Sequence, residues 1–383
     1  MPPGRAAFSA GGSAGPLLPV VGTGEWPTPM SKVGLQRSGH RDHQRFLMHD
    51  GSVRFNVSGT GWALPEQRLD NPELAARLGI DADSITERTG IVERRVASPG
   101  DSASGLGSVA AKMALERAGV DARDIDLVLL STYTPDHLLC PTAPVLAHRV
   151  GALNAGAFDL NGACSGGVTA LFTGAAMLHT GIYRRVLVVT ADLTTRFIHP
   201  EDAKTALIFG DGATACLLEP VGPQTEKSWS VVGAGMGADG SGAHLFKVPA
   251  GGCVLPPSSR MGDPDSDGTI KMNGRAIFRF GVERGASLIG ELCAIAGLAL
   301  NEVDWVIPHQ ANLRIISALA DRVGIPLAKW VINIQHCGNT ASSSVPLAWA
   351  ELMEGGRVSR GENVLLVAFG AGLTWSGIAL RQL

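Results

Sequence analysis

The chain has 383 residues, of which 45% are hydrophobic and 17% are charged, so it can bury one large core or two fused ones. Its formal net charge of −3 gives no overall basic field, which argues against nucleic acid or an anionic membrane as the main partner. The cysteines include no C-x-x-C pair, which argues against a metal site and a disulfide framework and fits a reducing cytoplasm.

Residues 1–52 are rich in Gly, Pro, Ser, Arg and His and show no sustained period, which predicts a poorly ordered N-terminal extension. Pro16 and Pro19 interrupt its apolar run, so we expect no secretory signal. No later stretch is apolar for long enough to span a bilayer. We therefore predict a cytoplasmic protein.

Strand and helix signals alternate from Val53 onward. Val53–Ser58 alternates like a strand, Ser108–Ala118 has a helical period, and Ile125–Ser131 is a continuous apolar run typical of a buried strand. Such alternation predicts a parallel sheet sandwiched between helices.

The chain also contains an internal repeat. Ile125-Asp-Leu-Val-Leu-Leu resembles Val303-Asp-Trp-Val-Ile-Pro, and Val186-Leu-Val-Val resembles Val364-Leu-Leu-Val, with an offset of 178 residues in both pairs. Two equal offsets predict two homologous halves. We place these halves at residues 53–225 and 226–383.

The first chemically suggestive motif is Asn161-Gly-Ala-Cys-Ser-Gly-Gly, which follows an apolar strand and precedes a helical pattern. Cys164 is therefore predicted at a helix N-terminus, where backbone N–H groups and the helix dipole favour a thiolate. The alternative is a small buried core residue, which is the role we assign to the other cysteines. For Cys164 the glycine-rich turn favours a nucleophile.

Two further motifs follow strands of the second half. His309 comes directly after the strand Val303–Ile307, where a parallel sheet places its ligand-binding loops. His336-Cys-Gly-Asn is expected to end the next strand, and its glycine permits a turn that aims the Asn339 amide inward. Taken alone, each side chain is more often structural than catalytic. In the repeat, however, Cys164 and Asn339 occupy equivalent turns, which predicts that both lie at one central seam between the halves.

A glycine-rich turn, Phe369-Gly-Ala-Gly-Leu-Thr-Trp, follows the strand Val364–Ala368. Its backbone N–H groups could face a developing oxyanion, and the alternative is an ordinary tight turn.

These motifs resemble, in their order, those of β-ketoacyl-acyl-carrier-protein synthase III and its relatives in polyketide and quinolone pathways. The resemblance runs from about Val53 to the C-terminus. The markers are the Cys164 turn, Phe209-Gly-Asp-Gly-Ala, His309-Gln-Ala-Asn-Leu-Arg, Gly338-Asn-Thr-Ala-Ser and Gly370-Ala-Gly-Leu-Thr-Trp.

The resemblance implies an α/β protein with the five-layered αβαβα thiolase-like fold, made of two duplicated halves. It also implies a homodimer, or a heterodimer with a paralogue, and a catalytic triad of Cys164, His309 and Asn339. The backbone N–H groups of Cys164 and Ala371 would form an oxyanion hole. The substrate- and carrier-binding residues that it implies are Arg88, Arg314, Asn312, Leu139, Cys140 and Phe369.

One departure from the family bears on the acyl donor. The bacterial fatty-acid enzymes hold the adenine of coenzyme A between a tryptophan and an arginine, and these positions align with Ser84 and Ala203. Losing a stacking face and a cation should weaken adenine binding by about 1 kcal/mol or more. We therefore expect a carrier-protein-bound or specialised acyl donor. No cofactor is expected to be tightly bound, and the acyl substrates are expected on the phosphopantetheine of acyl carrier protein or coenzyme A.

The predicted function is condensation in fatty acid, polyketide or related secondary-metabolite biosynthesis. Cys164 accepts an acyl group, and a malonyl-type thioester then attacks it with loss of carbon dioxide. The alternative is an acyltransferase on the same fold that passes the acyl group to a hydroxyl or amine. A biosynthetic thiolase fits less well, because Gly370-Ala-Gly stands where that chemistry needs a second cysteine.

Overall fold

The computed structural model describes residues 52–223, 225, 227–256 and 268–383. The predicted N-terminal extension, residues 1–52, lies outside these residues except for Ser52. Within the described part of the chain, no helix combines the length and apolar character that crossing a bilayer requires.

Strands and helices alternate through most of both halves. The strands are β1 Arg54–Ala63, β2 Arg68–Asp70, β3 Glu93–Arg95, β4 Leu127–Ser131, β5 Gly156–Leu160, β6 Val186–Asp192, β7 Gly212–Glu219, β8 Ser228–Ala238, β9 Phe246–Lys247, β10 Lys271–Met272, β11 Trp305–Pro308, β12 Asn363–Gly370 and β13 Thr374–Gln382. The helices are α1 Asn71–Leu78, α2 Ala82–Thr89, α3 Ala103–Ala118, α4 Thr142–Val150, α5 Gly166–His179, α6 Gly274–Ala296, α7 Leu313–Val323, α8 Ile334–Cys337 and α9 Ser344–Glu354.

Local sequence signals fix where several helices begin and end. The Ser102 hydroxyl accepts the Gly105 N–H at the start of α3, and the Asn312 side chain accepts the Arg314 N–H at the start of α7. Gly119 ends α3 with a left-handed φ of 65°. These caps set the loops that connect the helices to the strands.

The strands form a nine-stranded sheet in the order β11-β12-β13-β8-β1-β7-β6-β4-β5. It contains two similar halves, which meet where β1 pairs with β8. The pairs β4–β5, β4–β6 and β11–β12 are parallel, whereas β7 and β13 run antiparallel to their neighbours. The sheet is therefore mixed and not wholly parallel, because each half closes with an antiparallel strand.

Strand register confirms the internal repeat. Leu127 of β4 faces Val186 of β6, and Trp305 of β11 faces Val364 of β12. These are the positions that the repeat in the sequence predicts to be equivalent. The two halves therefore share strand order and register.

Helices cover both faces of the strands and fill the space between the halves. Val128 and Leu130 belong to a core with α3 and α4, whereas Leu127 and Leu129 belong to the core shared with α5 and α9. The helices α6 and α7 cover the outer face of the second half. The layers are thus helix, strand, helix, strand and helix, and the five-layered αβαβα fold is confirmed.

The prediction of a strand just before Asn339 is wrong. Only Trp330 bridges to β11, and the chain then forms the short helix α8. The Gln310 side chain explains this, because its amide nitrogen donates to the Val331 carbonyl and its oxygen accepts the Asn333 N–H. A side chain thereby satisfies backbone groups that a neighbouring strand would otherwise bind.

Candidate active site

A cavity of about 700 Å³ contains the three residues that sequence motifs single out for catalysis. Its wall includes Cys164 from the first half and His309 and Asn339 from the second. Phe369 and Gly370, at the end of β12, also line it. Residues far apart in the chain therefore meet in one pocket that can hold a substrate.

Cys164 lies in a single helical turn, Ala163–Ser165, that leads into α5. Its side chain is 3% exposed. A Cβ at position 370 would lie 2.8 Å from both the Cβ and the backbone nitrogen of Cys164, so Gly370 is required for this approach. The backbone N–H groups of Cys164 and Ala371 act on the sulfur and favour its charged form.

The acidity of the Cys164 thiol differs from the sequence-based expectation. Burial, with a smaller contribution from the nearby charge of Asp192, raises the pKa of Cys164 to about 12. The two backbone N–H groups act in the opposite direction but do not outweigh burial. The prediction of a helix-stabilised thiolate is therefore wrong, because desolvation of the charged form dominates at this depth.

His309 is held rigidly and stays neutral. Its Nδ1 lies 2.7 Å from the Ser344 hydroxyl, its backbone N–H donates to Val367, and its ring meets Phe369 edge-on at 5.6 Å. Burial lowers the pKa of His309 to about 3. With Nδ1 engaged, Nε2 is the nitrogen that can face a substrate.

Asn339 is oriented by its own backbone and by the segment that follows. Its backbone N–H donates to Ile208, its carbonyl accepts the Gly210 N–H, and its side-chain Oδ1 accepts the Ala341 N–H at 2.9 Å. The acceptor end of the amide is thus occupied. The NH₂ end remains to donate a hydrogen bond in the cavity.

Cations surround the outer part of the cavity. Arg88 and Arg314 line it, as the resemblance implies, and so do Lys204 and Arg275. All four are exposed, and no acidic residue is among the described residues that line the cavity. Asn312 lines the cavity too, where it caps α7 and donates to the Arg88 carbonyl at 3.1 Å.

Two implied pocket residues do not reach this cavity within the chain. Leu139 is 90% exposed and Cys140 is also exposed, with a left-handed φ of 85°. Neither is among the residues that line the cavity. A role for them in an acyl pocket would require a partner subunit, and it stays a prediction.

Several lining residues escaped sequence reasoning. Lys204 is adjacent to Ala203, which aligns with the arginine that binds adenine in the related enzymes. This adjacency is the one signal in the sequence that could have pointed to Lys204. The apolar wall formed by Phe246, Met272 and Phe280 comes from short strands and the start of α6. No motif marks these residues, because their packing depends on tertiary structure.

Solved structures place this architecture in the thiolase-like class of condensing enzymes. The 3-oxoacyl-[acyl-carrier-protein] synthase III of Aquifex aeolicus is 35% identical, with 85% of this chain and 99% of that chain covered and a TM-score of 0.77. The priming β-ketosynthase of the R1128 polyketide pathway is 34% identical, with 90% and 99% covered and a TM-score of 0.76.

Sequence comparison gives the family. Residues 158–240 match the family model of 3-oxoacyl-[acyl-carrier-protein (ACP)] synthase III, and residues 293–382 match the model of its C-terminal part. The β-ketoacyl-[acyl-carrier-protein] synthase III of Roseiflexus sp. (strain RS-1) is 41% identical over 85% of this chain and 97% of its own length. The chain belongs to the β-ketoacyl-[acyl-carrier-protein] synthase III family. It is a condensing enzyme of the acyltransferase class.

Proposed function

We propose that this enzyme transfers an acyl group from a phosphopantetheine thioester to Cys164 and condenses it with a malonyl-type thioester. The supporting observation is that Cys164, His309 and Asn339 line one cavity beside two convergent backbone N–H groups. No metal takes part in the scheme, and no group is required beyond the substrates.

In the first half-reaction, the Cys164 sulfur attacks the acyl thioester carbon, and the proton of the thiol leaves through solvent. The backbone N–H groups of Cys164 and Ala371 form the oxyanion hole for the tetrahedral intermediate. The intermediate then releases the carrier sulfur, which takes up a proton from solvent. An acyl-enzyme remains, and His309 keeps its neutral form with the proton on Nε2.

In the second half-reaction, a malonyl-type thioester occupies the same cavity. Its carboxylate leaves as carbon dioxide, and the electron pair of the broken bond forms an enolate. His309 Nε2–H and the Asn339 amide donate hydrogen bonds to the enolate oxygen. The enolate carbon attacks the acyl carbon, and the bond to the Cys164 sulfur breaks to give a β-ketoacyl thioester. The Cys164 sulfur then takes a proton from solvent, which restores the resting thiol.

The carrier arm is expected to enter past the exposed cations. Arg88, Lys204, Arg275 and Arg314 offer positive charge to the phosphodiester of phosphopantetheine and to acidic residues of the carrier protein. The double variant K204E/R275E should raise KM for an acyl-carrier-protein thioester at least tenfold and change KM for acyl-pantetheine much less. Equal KM values for wild type and variant with the carrier substrate would contradict this part of the proposal.

Loading of Cys164 is tested by intact-mass measurement after incubation with a panel of acyl thioesters. Wild type should gain one acyl mass, located on the Cys164 peptide, and C164A should gain none. Acylation that persists in C164A would refute the assignment of the nucleophile. Addition of malonyl thioester should then release carbon dioxide, whereas acyl transfer to a hydroxyl or amine without carbon dioxide would support the alternative acyltransferase.

A further inference from the structure

Asp192, the last residue of β6, is a fully buried carboxylate at the seam of the two halves. Its Oδ1 accepts hydrogen bonds from the Thr132 hydroxyl at 3.2 Å and the Tyr133 N–H at 3.0 Å. Its Oδ2 accepts from the Ser342 N–H at 3.0 Å and the Ser342 hydroxyl at 2.5 Å. One oxygen thus binds the loop after β4, and the other binds the segment that follows Asn339.

The segment held by Oδ2 also orients Asn339. Ser342 follows Ala341, whose N–H fixes Asn339 Oδ1 at 2.9 Å. Ala341 has a φ of 53°, a left-handed conformation that side chains other than glycine rarely adopt. Such a conformation persists only where the surroundings hold it. The bonds to Asp192 supply that restraint from the opposite half of the molecule.

We propose that Asp192 is a positioning residue for the condensation step, because it clamps the segment 340–343 and thereby directs the Asn339 amide toward the enolate oxygen. The inference rests on the proposed function of Asn339 as an enolate donor. Burial raises the pKa of Asp192, and the four hydrogen bonds act in the opposite direction, because all come from donors and match an acceptor-only carboxylate. An asparagine in its place would turn an NH₂ group toward two of these donors.

Asp192 acts on the nucleophile as well as on Asn339. Its charge contributes to the raised pKa of Cys164, after burial. Tyr133, whose backbone N–H binds Asp192, is also titratable, and its pKa is raised by burial first and then by the charge of Asp192. Removing the negative charge should therefore make the Cys164 thiol more acidic, while it impairs the orientation of Asn339.

The more acidic thiol and the misoriented Asn339 distinguish a positioning role of Asp192 from a general contribution to stability. In the full-length D192N variant, acylation of Cys164 from octanoyl-pantetheine should stay within about threefold of wild type, since a more acidic thiol is not a weaker nucleophile at neutral pH. Decarboxylation of malonyl-pantetheine should fall by about 10- to 100-fold, the cost of a misplaced catalytic group. The pH midpoint of Cys164 alkylation by iodoacetamide, followed by peptide mass, should move to lower pH.

The matched control is D211N, the same isosteric change at another buried carboxylate. Asp211 accepts from Thr195 and Ala97 and is not among the groups that act on the Cys164 pKa. The alkylation midpoint of D211N should therefore stay at the wild-type value. Equal slowing of both half-reactions in D192N, or wild-type decarboxylation, would overturn the proposal.

Two further variants keep the result interpretable. If D192N does not fold, S342A removes one hydroxyl donor and keeps the charge, so decarboxylation should fall about 3- to 10-fold with no shift of the alkylation midpoint. Wild-type decarboxylation in S342A would then overturn the proposal. The variant N339D separates the two inferences: if it decarboxylates normally, the role of Asn339 fails. If N339D is inactive while D192N decarboxylates normally, only the role of Asp192 fails.

Discussion

At the scale of single residues, burial determines the charge of both reactive groups. The same removal of water raises the pKa of Cys164 to about 12 and lowers the pKa of His309 to about 3. The resting pair is therefore a neutral thiol and a neutral imidazole. A neutral imidazole can donate a hydrogen bond to the enolate, whereas the neutral thiol must lose its proton during loading.

The pKa of His309 leads to a prediction about stability. Folded His309 stays neutral down to about pH 3, whereas in the unfolded chain it binds a proton below about pH 6.5. The unfolded state then holds more protons, so the His309 contribution to the free energy of unfolding should fall by about 1 kcal/mol per pH unit from pH 6.5 downward. Above about pH 7.5 this contribution should be nearly constant.

Urea unfolding of wild type and H309Q at pH 7.5, 6.5 and 5.5 measures this effect. The difference in free energy of unfolding between the two proteins should change by about 1 kcal/mol between pH 6.5 and 5.5 and by much less between 7.5 and 6.5. Parallel pH profiles throughout would mean that folded His309 binds a proton in the normal range.

The sequence singled out the reactive residues but not their supports. Cys164, His309 and Asn339 each stand in a distinctive turn next to a strand, and such turns can be recognised from local pattern. Ser344 contacts His309, and Asp192 binds Ser342 in the segment after Asn339; contacts between distant segments such as these leave no local signal. The direction of the Cys164 pKa shift was missed for the same reason, since the depth of burial is a tertiary property.

At the scale of elements, the approach of α5 to the segment after Asn339 depends on a glycine. A Cβ at Gly167 would lie 2.0 Å from the Ser342 carbonyl oxygen, a backbone atom that cannot move aside cheaply. The nucleophile turn and the Asn339 segment are therefore packed directly against each other. This contact supports the geometry of the site from the side of the helix.

The variant G167A should accordingly lose about 2 kcal/mol or more of stability, through overpacking at this contact. Gly290 in α6 is the matched control, because nothing lies within 4 Å of its Cβ position and alanine is the better helix former. We expect G290A to be about 0.5–1 kcal/mol more stable than wild type. Thermal and urea unfolding test both values, and a stable, fully active G167A would contradict the packing argument.

Element types followed from the sequence more reliably than element ends. The apolar run Ile125–Ser131 became β4 Leu127–Ser131, and the helical pattern at Ser108–Ala118 proved to be the later part of α3. The predicted strand before Asn339 failed, because the Gln310 side chain takes over its backbone hydrogen bonds. A period in the sequence cannot reveal a competing side chain from another segment.

At the scale of the whole molecule, the internal repeat was the most informative sequence feature. Its offset fixed which strands are equivalent, and strand register in the two halves agrees with it. The repeat cannot predict residues that have no counterpart in the other half. Lys204 and Arg275, which line the cavity, are two residues that it does not predict.

A dimer of this chain stays a prediction with a direct test. Leu138 and Leu139 are 79% and 90% exposed, which is unfavourable for adjacent leucines unless a partner covers them. L139D should shift the protein toward monomer in analytical ultracentrifugation. The control I182D changes an apolar side chain that is 75% exposed in the turn after α5 and should leave the association unchanged. A dimer of wild-type strength in L139D would place the interface elsewhere.

In the proposed mechanism, one cavity performs two half-reactions and Asn339 serves only the second. The N339D variant tests it, because aspartate keeps the oxygen that accepts the Ala341 N–H and removes the NH₂ donor. Single-turnover mass spectrometry should show acylation of Cys164 within about threefold of wild type and decarboxylation slowed by about 10²- to 10³-fold, the effect of losing one oxyanion donor. Equal loss of both steps, or decarboxylation at the wild-type rate, would contradict the account.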